Sequence, residues 1–187
     1  MGKYNVIIDK YKVPNALTLL RILLTISFLI ISFYYKLYLL SFIVFLIACL
    51  TDVLDGHLAR KYKLITNFGK IWDPLADKIL VISALFALFV WDYIYLWMVI
   101  VIIIREVLVT ILRAVMTKKN IYLSADILGK IKTMLQMIGI IIALAHKSLL
   151  NNFNFLPVIV IIVFYIVVVL AIVSGINYFT NMRKNIL

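Results

Sequence analysis

Negative charge is scarce in this chain. Only 8 of its 187 residues are Asp or Glu, against 19 Lys and Arg, and charged residues of both signs make up 14%. A soluble domain usually carries about 25% charged residues, so a water-facing surface of ordinary composition is excluded. Cysteine is nearly absent: Cys49 alone cannot form an internal disulfide, and its apolar surroundings suit a packing role. With 6 Gly and 3 Pro there is no Gly/Ser-rich linker, and no repeat divides the sequence. One domain over residues 1–187 is expected. Sustained polar/apolar alternation is also missing, which excludes a transmembrane barrel. The stretch MGKYNVIIDKYKVPN has neither the cleavage pattern of a secretory leader nor the acid-poor composition of a transit peptide. It reads as a cytoplasmic segment over residues 1–14.

What the chain has instead is hydrocarbon. Hydrophobic residues make up 66% and the mean hydropathy is +1.14, which indicates an all-α integral membrane protein. Polar breaks and turn signals delimit six transmembrane helices, at about Asn15–Tyr35, Leu37–Arg60, Asp73–Trp91, Tyr93–Thr117, Ser124–His146 and Leu156–Met182. Lys36 and Lys147 are the basic residues of two short connections. Every other Lys and Arg lies at the termini, at Arg60–Lys70, around Arg113–Lys132, or in the adjoining halves of the spans. The positive-inside rule therefore places both termini in the cytoplasm. It also explains the net charge of +11 without nucleic acid as a partner.

Several spans have uncharged runs of only about 12 to 15 residues, short of the ~18 expected of a lipid-exposed helix. The interrupting charges share one level. Measured from the outer helix ends at about 1.5 Å per residue, Arg21, Asp52, Asp77, Arg105 and Lys132 all lie roughly 18–22 Å deep. Ionisable groups at that depth normally face a wet, protein-lined space, so a polar cavity open to the cytoplasmic side is expected. Lysines can snorkel to the interface, but short aspartates cannot do so far.

The densest polar stretch is TDVLDGHLARKYKLITNFGKIWDPLAD, residues 51–77. On a helix, Asp55 lies about 60° from Asp52, with Gly56 and Ala59 on the same stripe and Arg60 at its edge. Asp73 and Asp77 are one turn apart on the next helix, and Gly69 suits a turn in the connection. Four facing carboxylates would repel unless countered. All-oxygen donors favour a hard cation, Mg²⁺ or Mn²⁺, and four negative charges balance two divalent ions, an arrangement suited to phosphoryl chemistry. The bland alternative is a set of structural ion pairs with Arg60, Lys61, Lys70 and Lys78.

The pattern Asp52-x2-Asp55-Gly56-x2-Ala59-Arg60-x8-Gly69-x3-Asp73-x3-Asp77 resembles the complete signature of the CDP-alcohol phosphotransferase family, at eight fixed positions and spacings. VPNALTLLR (13–21), DPLADKIL (73–80), REVLVTILR (105–113), LGKIKTMLQM (128–137) and SGINYF (174–179) extend the resemblance over nearly the whole chain. They point to the bacterial branch that transfers a phosphatidyl group from CDP-diacylglycerol to glycerol 3-phosphate in phospholipid biosynthesis. The products would be phosphatidylglycerol phosphate and CMP. The resemblance implies a six-helix protomer, usually a homodimer, in the bacterial cell membrane with its active site facing the cytoplasm. It also implies that Asp52, Asp55 and Asp73 hold one ion, that Asp52, Asp73 and Asp77 hold the other, and that Asp77 is the catalytic base. The CDP-lipid is expected near Gly56, Ala59, Arg60 and Gly69. Asn15 and Thr18 suit capping of the first helix after Pro14, and the resemblance places them near the nucleotide.

Glycerol 3-phosphate carries a phosphate, so its pocket should be basic. Arg105 and Arg113, about 80° apart on the fourth helix, are compatible with one broad face. Lys130 and Lys132 diverge by about 200°. Either that helix starts irregularly at Gly129, or one lysine serves the phosphate and the other the interface. Arg113, Lys130 and Arg105 are the expected ligands, with Lys132 a fourth candidate. A pair between Arg105 and Glu106 is disfavoured, because adjacent helical residues diverge. His57 and His146 read as incidental, Lys118 and Lys119 as a topology signal, and the Trp and Tyr near 91–97 as an interfacial belt. Rival acceptors are serine, inositol phosphate and phosphatidylglycerol. An intramembrane prenyltransferase would need aspartate motifs far apart in a longer chain. A cation transporter would need polar outer halves, and these hold little beyond Lys36, Asp92, Lys147 and the asparagines near 151–154.

Overall fold

A computed structural model describes the backbone of residues 2–62, 67–118 and 127–186, and the side chains of residues 16–54, 72–117 and 127–182. The described residues form six α-helices: α1 (Gly2–Ile30), α2 (Tyr38–Tyr62), α3 (Asn67–Val90), α4 (Leu96–Lys118), α5 (Ile127–Ser148) and α6 (Leu156–Ile186). No strand occurs among them. The all-helical expectation is met, with shifted boundaries. Helix α1 starts at Gly2, not Asn15, and runs through Pro14; α3 starts at Asn67, not Asp73, and contains Pro74. A proline removes one helical N–H and biases its predecessor, but membrane helices tolerate it. Gly69 therefore lies in the first turn of α3, not in a connecting turn.

Among the described residues, three stretches are long and apolar enough to cross a membrane by length and composition: Ala16–Tyr35, Ile127–Ser148 and Leu156–Met182. The apolar part of α2, Tyr38–Leu54, is shorter. Helices α3 and α4 carry Asp73, Asp77 and Lys78, and Arg105, Glu106 and Arg113, inside otherwise apolar runs.

The chain divides into two compact units, residues 1–87 with 147–149, and residues 88–146 with 150–187. In the first, α1 packs on α2 through Phe28 and Phe45, whose ring centroids lie 5.9 Å apart with both side chains fully buried. Helix α1 ends in a π-helical turn, Ile31–Tyr35, closed by Lys36 in the left-handed region at φ 53°. Phe33 of that turn meets Phe86 of α3 at 5.8 Å. The buried face of α3 is lined by Ala76, Leu80, Ala84 and Ala87. Hydrocarbon supplies no hydrophobic drive between helices, so small residues that let backbones approach take over that role. Large residues point outward instead, among them Leu23, Ile26 and Ile30 of α1, as a lipid-facing surface requires.

In the second unit α4 packs on α6, with Met98, Ile102, Phe164 and Ala171 fully buried. Helix α5 meets α6 at Gly139, where a Cβ would stand 2.9 Å from Cε2 of Phe164. Two backbone bonds end α3, from Asp92 N–H to the Phe89 carbonyl (3.1 Å) and from Tyr93 N–H to the Leu88 carbonyl (2.9 Å). Asp92 takes φ 63°, which makes this a Schellman stop without glycine. Two expectations are corrected here. Tyr93 is buried, not part of a belt, and its hydroxyl is hydrogen-bonded to Nδ1 of His146. His146 is therefore a core residue closing the α3–α4 connection against α5. Trp97 and Tyr95 remain exposed.

Candidate active site

In the first unit, α1 organises the acids. Thr18, Arg21 and Thr25 are spaced three and four apart, which puts them on one helical face, and all three are buried. A buried guanidinium needs a counter-charge. Nη1 of Arg21 meets Oδ1 of Asp52, on α2, at 2.9 Å. The Arg21 side chain is 0% exposed and that of Asp52 43%, so the guanidinium is enclosed while its partner carboxylate stays accessible. One turn before Arg21, the Thr18 hydroxyl donates to Oδ1 of Asp73 on α3. Asp77, one turn beyond Asp73, is half-buried, as Asp73 is. One face of α1 thus holds acids from two other helices.

The capping role expected of Thr18 is corrected: α1 starts well before it, so Thr18 sits mid-helix and its hydroxyl serves an aspartate. The sequence puts Arg21 and Asp52 at nearly equal depth but holds no sign that they pair; the packing of α1 on α2 decides that. Asn15, Asp55, Gly56, Ala59, Arg60 and Gly69 have side chains outside the described residues. Among the described residues no three of His, Cys, Asp and Glu form a group that could hold a metal ion. Asp52, Asp73 and Asp77 offer oxygen alone, the donor chemistry that fits a hard divalent cation. The contacts to Arg21 and Thr18 each use Oδ1, and a carboxylate has acceptor sites on two oxygens.

The second unit gathers charge differently. Arg105 donates through Nη1 to Oε1 of Glu106 at 3.2 Å and through Nη2 to the Ser174 hydroxyl, on α6, at 2.9 Å. Lys132 of α5 donates to the same Oε1 of Glu106. The expectation that adjacent Arg105 and Glu106 do not pair is thereby overturned; the long arginine side chain curls back across the 100° step. Helix α5 is regular from Ile127, so the two lysines diverge: Lys132 is 1% exposed, while Lys130 faces outward. Arg113 is also exposed. Glu106 and Ser174 were not among the expected site residues; the SGINYF segment was the available signal for Ser174.

The CDP-alcohol phosphatidyltransferase family matches residues 11–176. A CDP-diacylglycerol–glycerol-3-phosphate 3-phosphatidyltransferase of Bacillus subtilis (strain 168) is 40% identical over 187 residues, covering 91% of this chain and 95% of the relative. Proteins of the same name from Rickettsia felis and Rickettsia prowazekii are 35% and 36% identical over 181 and 176 residues. Those matches cover 95% and 92% of this chain, and 98% and 95% of the relatives. The chain belongs to the CDP-alcohol phosphatidyltransferase family, as its eight-position signature led one to expect.

Proposed function

We propose that the protein transfers a phosphatidyl group from CDP-diacylglycerol to glycerol 3-phosphate, forming phosphatidylglycerol phosphate and releasing CMP. The observation that carries this reading is the holding of Asp52 and Asp73 by Arg21 and Thr18, in a chain whose relatives bear the name of that transferase. All six helices cross the bacterial cell membrane, with both termini and the acids facing the cytoplasm, and two protomers form a homodimer. The lopsided distribution of Lys and Arg supports the orientation.

Asp52, Asp55 and Asp73 would hold one divalent ion, and Asp52, Asp73 and Asp77 a second. Mg²⁺ or Mn²⁺ bound there would neutralise the diphosphate and stabilise the charge that develops on departing CMP. Arg21 and Thr18 fix the carboxylates of Asp52 and Asp73 before substrate arrives, so little reorganisation is left for the transition state. Gly56, Ala59, Arg60, Gly69, Asn15 and Thr18 would bind the CDP-lipid, whose acyl chains stay in the bilayer. A hydroxyl oxygen of glycerol 3-phosphate attacks the phosphorus bearing diacylglycerol, and the bond from that phosphorus to CMP breaks. Asp77 takes the hydroxyl proton. Arg105, Arg113 and one of the two lysines recognise the acceptor's phosphate; the contact of Lys132 with Glu106, beside Arg105, supports Lys132 and leaves Lys130 to the interface.

The test is CMP release by purified protein with CDP-diacylglycerol and a panel of acceptors. Turnover is expected with glycerol 3-phosphate, to be lost with EDTA and restored by Mg²⁺ or Mn²⁺. Preference for serine, inositol phosphate or phosphatidylglycerol would overturn the acceptor. No CMP release under any combination would overturn the enzyme.

A further inference from the structure

Arg105 lies in a slot made by three helices. Glu106 of α4 accepts from Nη1, Ser174 of α6 accepts from Nη2, and Gly129 of α5 leaves space beside Nη2. A Cβ at Gly129 would stand 3.0 Å from that nitrogen, and one at Gly175 would stand 3.7 Å from Cγ of Arg105. Glu106 also accepts from Lys132 through the oxygen that faces Arg105. Two cations thus share one carboxylate oxygen.

We infer that Glu106 is a positioning residue for acceptor recognition, with Ser174 and Gly129 completing the slot. It fixes Arg105 and Lys132 in the single orientation that the acceptor's phosphate meets. The inference rests on the proposed role of Arg105 as a phosphate ligand. Long cationic side chains carry high rotamer entropy, and within a membrane they tend to snorkel toward the interface. A shared carboxylate removes both freedoms before the ligand arrives, and preorganisation of this kind raises affinity. It acts against bare electrostatics. A carboxylate beside a phosphate site repels the ligand, so by charge alone its removal would tighten binding. Positioning demands the opposite sign.

The experiment measures CMP release by the purified full-length protein, with glycerol 3-phosphate and CDP-diacylglycerol varied independently. Glu106→Gln is expected to raise the KM for glycerol 3-phosphate about tenfold, the scale of one lost charge-assisted hydrogen bond, and to leave the KM for CDP-diacylglycerol unchanged. Ser174→Ala and Gly129→Ala keep every charge, and Gly129→Ala displaces only the flexible end of Arg105. Both should raise the same KM by about threefold or more and decide the matter if Glu106→Gln does not fold. Glu106→Asp should recover part of the loss. Arg105→Ala separates the phosphate-ligand role of Arg105 from the positioning role of Glu106. If it leaves the glycerol 3-phosphate KM unchanged, the phosphate-ligand reading of Arg105 fails and the inference with it. If it raises that KM while Glu106→Gln lowers it or leaves it alone, and Ser174→Ala and Gly129→Ala leave it alone, the inference alone is overturned.

Discussion

Single substitutions at Thr18 and Asp77 test the proposed site. Asp77→Asn keeps the size and hydrogen-bonding shape of the side chain but cannot take a proton. CMP release should fall by about 10²–10⁴-fold, the usual range for a positioned acid–base group, while CDP-diacylglycerol still binds by calorimetry. Thr18→Val removes the hydroxyl that donates to Asp73 and little volume. The Mg²⁺ concentration for half-maximal turnover should rise about fivefold, the equivalent of one ordinary hydrogen bond. Unchanged Mg²⁺ dependence in that variant would detach α1 from the proposed metal site. Asp52 was readable as a site acid from its spacing to Asp55 and Gly56, but its partner was not. Arg21 lies on another helix, 31 positions earlier in the chain, and only packing brings the two within 2.9 Å.

Among the elements, α5 shows most clearly how a small residue sets a helix contact. Gly139 is buried against Phe164, itself fully buried on α6, and Val163 Cγ1 stands 3.2 Å from where a Cβ would lie. Neither neighbour is the loose end of a flexible chain. Gly139→Ala should therefore destabilise the second unit by about 1–3 kcal/mol through overpacking, measured as earlier thermal unfolding in detergent. Helix boundaries were less legible than helix existence. Apolar runs bounded by polar breaks mark six helices, whereas the starts expected at Asn15 and Asp73 are overrun: α1 begins at Gly2 and passes through Pro14, and α3 begins at Asn67 and contains Pro74. A proline's local cost of about 3 kcal/mol is smaller than what the surrounding helix gains from its remaining bonds and contacts.

The whole molecule poses a question of topology. The proposed orientation puts Lys36 and Lys147 outside and the remaining basic segments inside, and thiol labelling in intact cells tests it directly. In a Cys49→Ser background, Lys36→Cys and Lys147→Cys should react with a membrane-impermeant maleimide, whereas Arg183→Cys should react only after permeabilisation. The reverse pattern would turn the orientation over and put the acids on the wrong side for a cytoplasmic nucleotide substrate.

The chain's composition settled its helical, lipid-embedded character, because 66% hydrophobic residues leave the backbone no partner in hydrocarbon but itself. Eight residues at fixed spacing were enough to mark the family, since spacing along helices sets which side chains share a face. Folding decided the pairings. That Arg21 answers Asp52, that Thr18 serves Asp73 instead of a helix end, and that Glu106 of α4 binds Lys132 of α5 are contacts between helices. Periodicity says which way a side chain points, but not which neighbour it meets there, because that depends on how deep each helix sits and how closely its small residues let the next one approach.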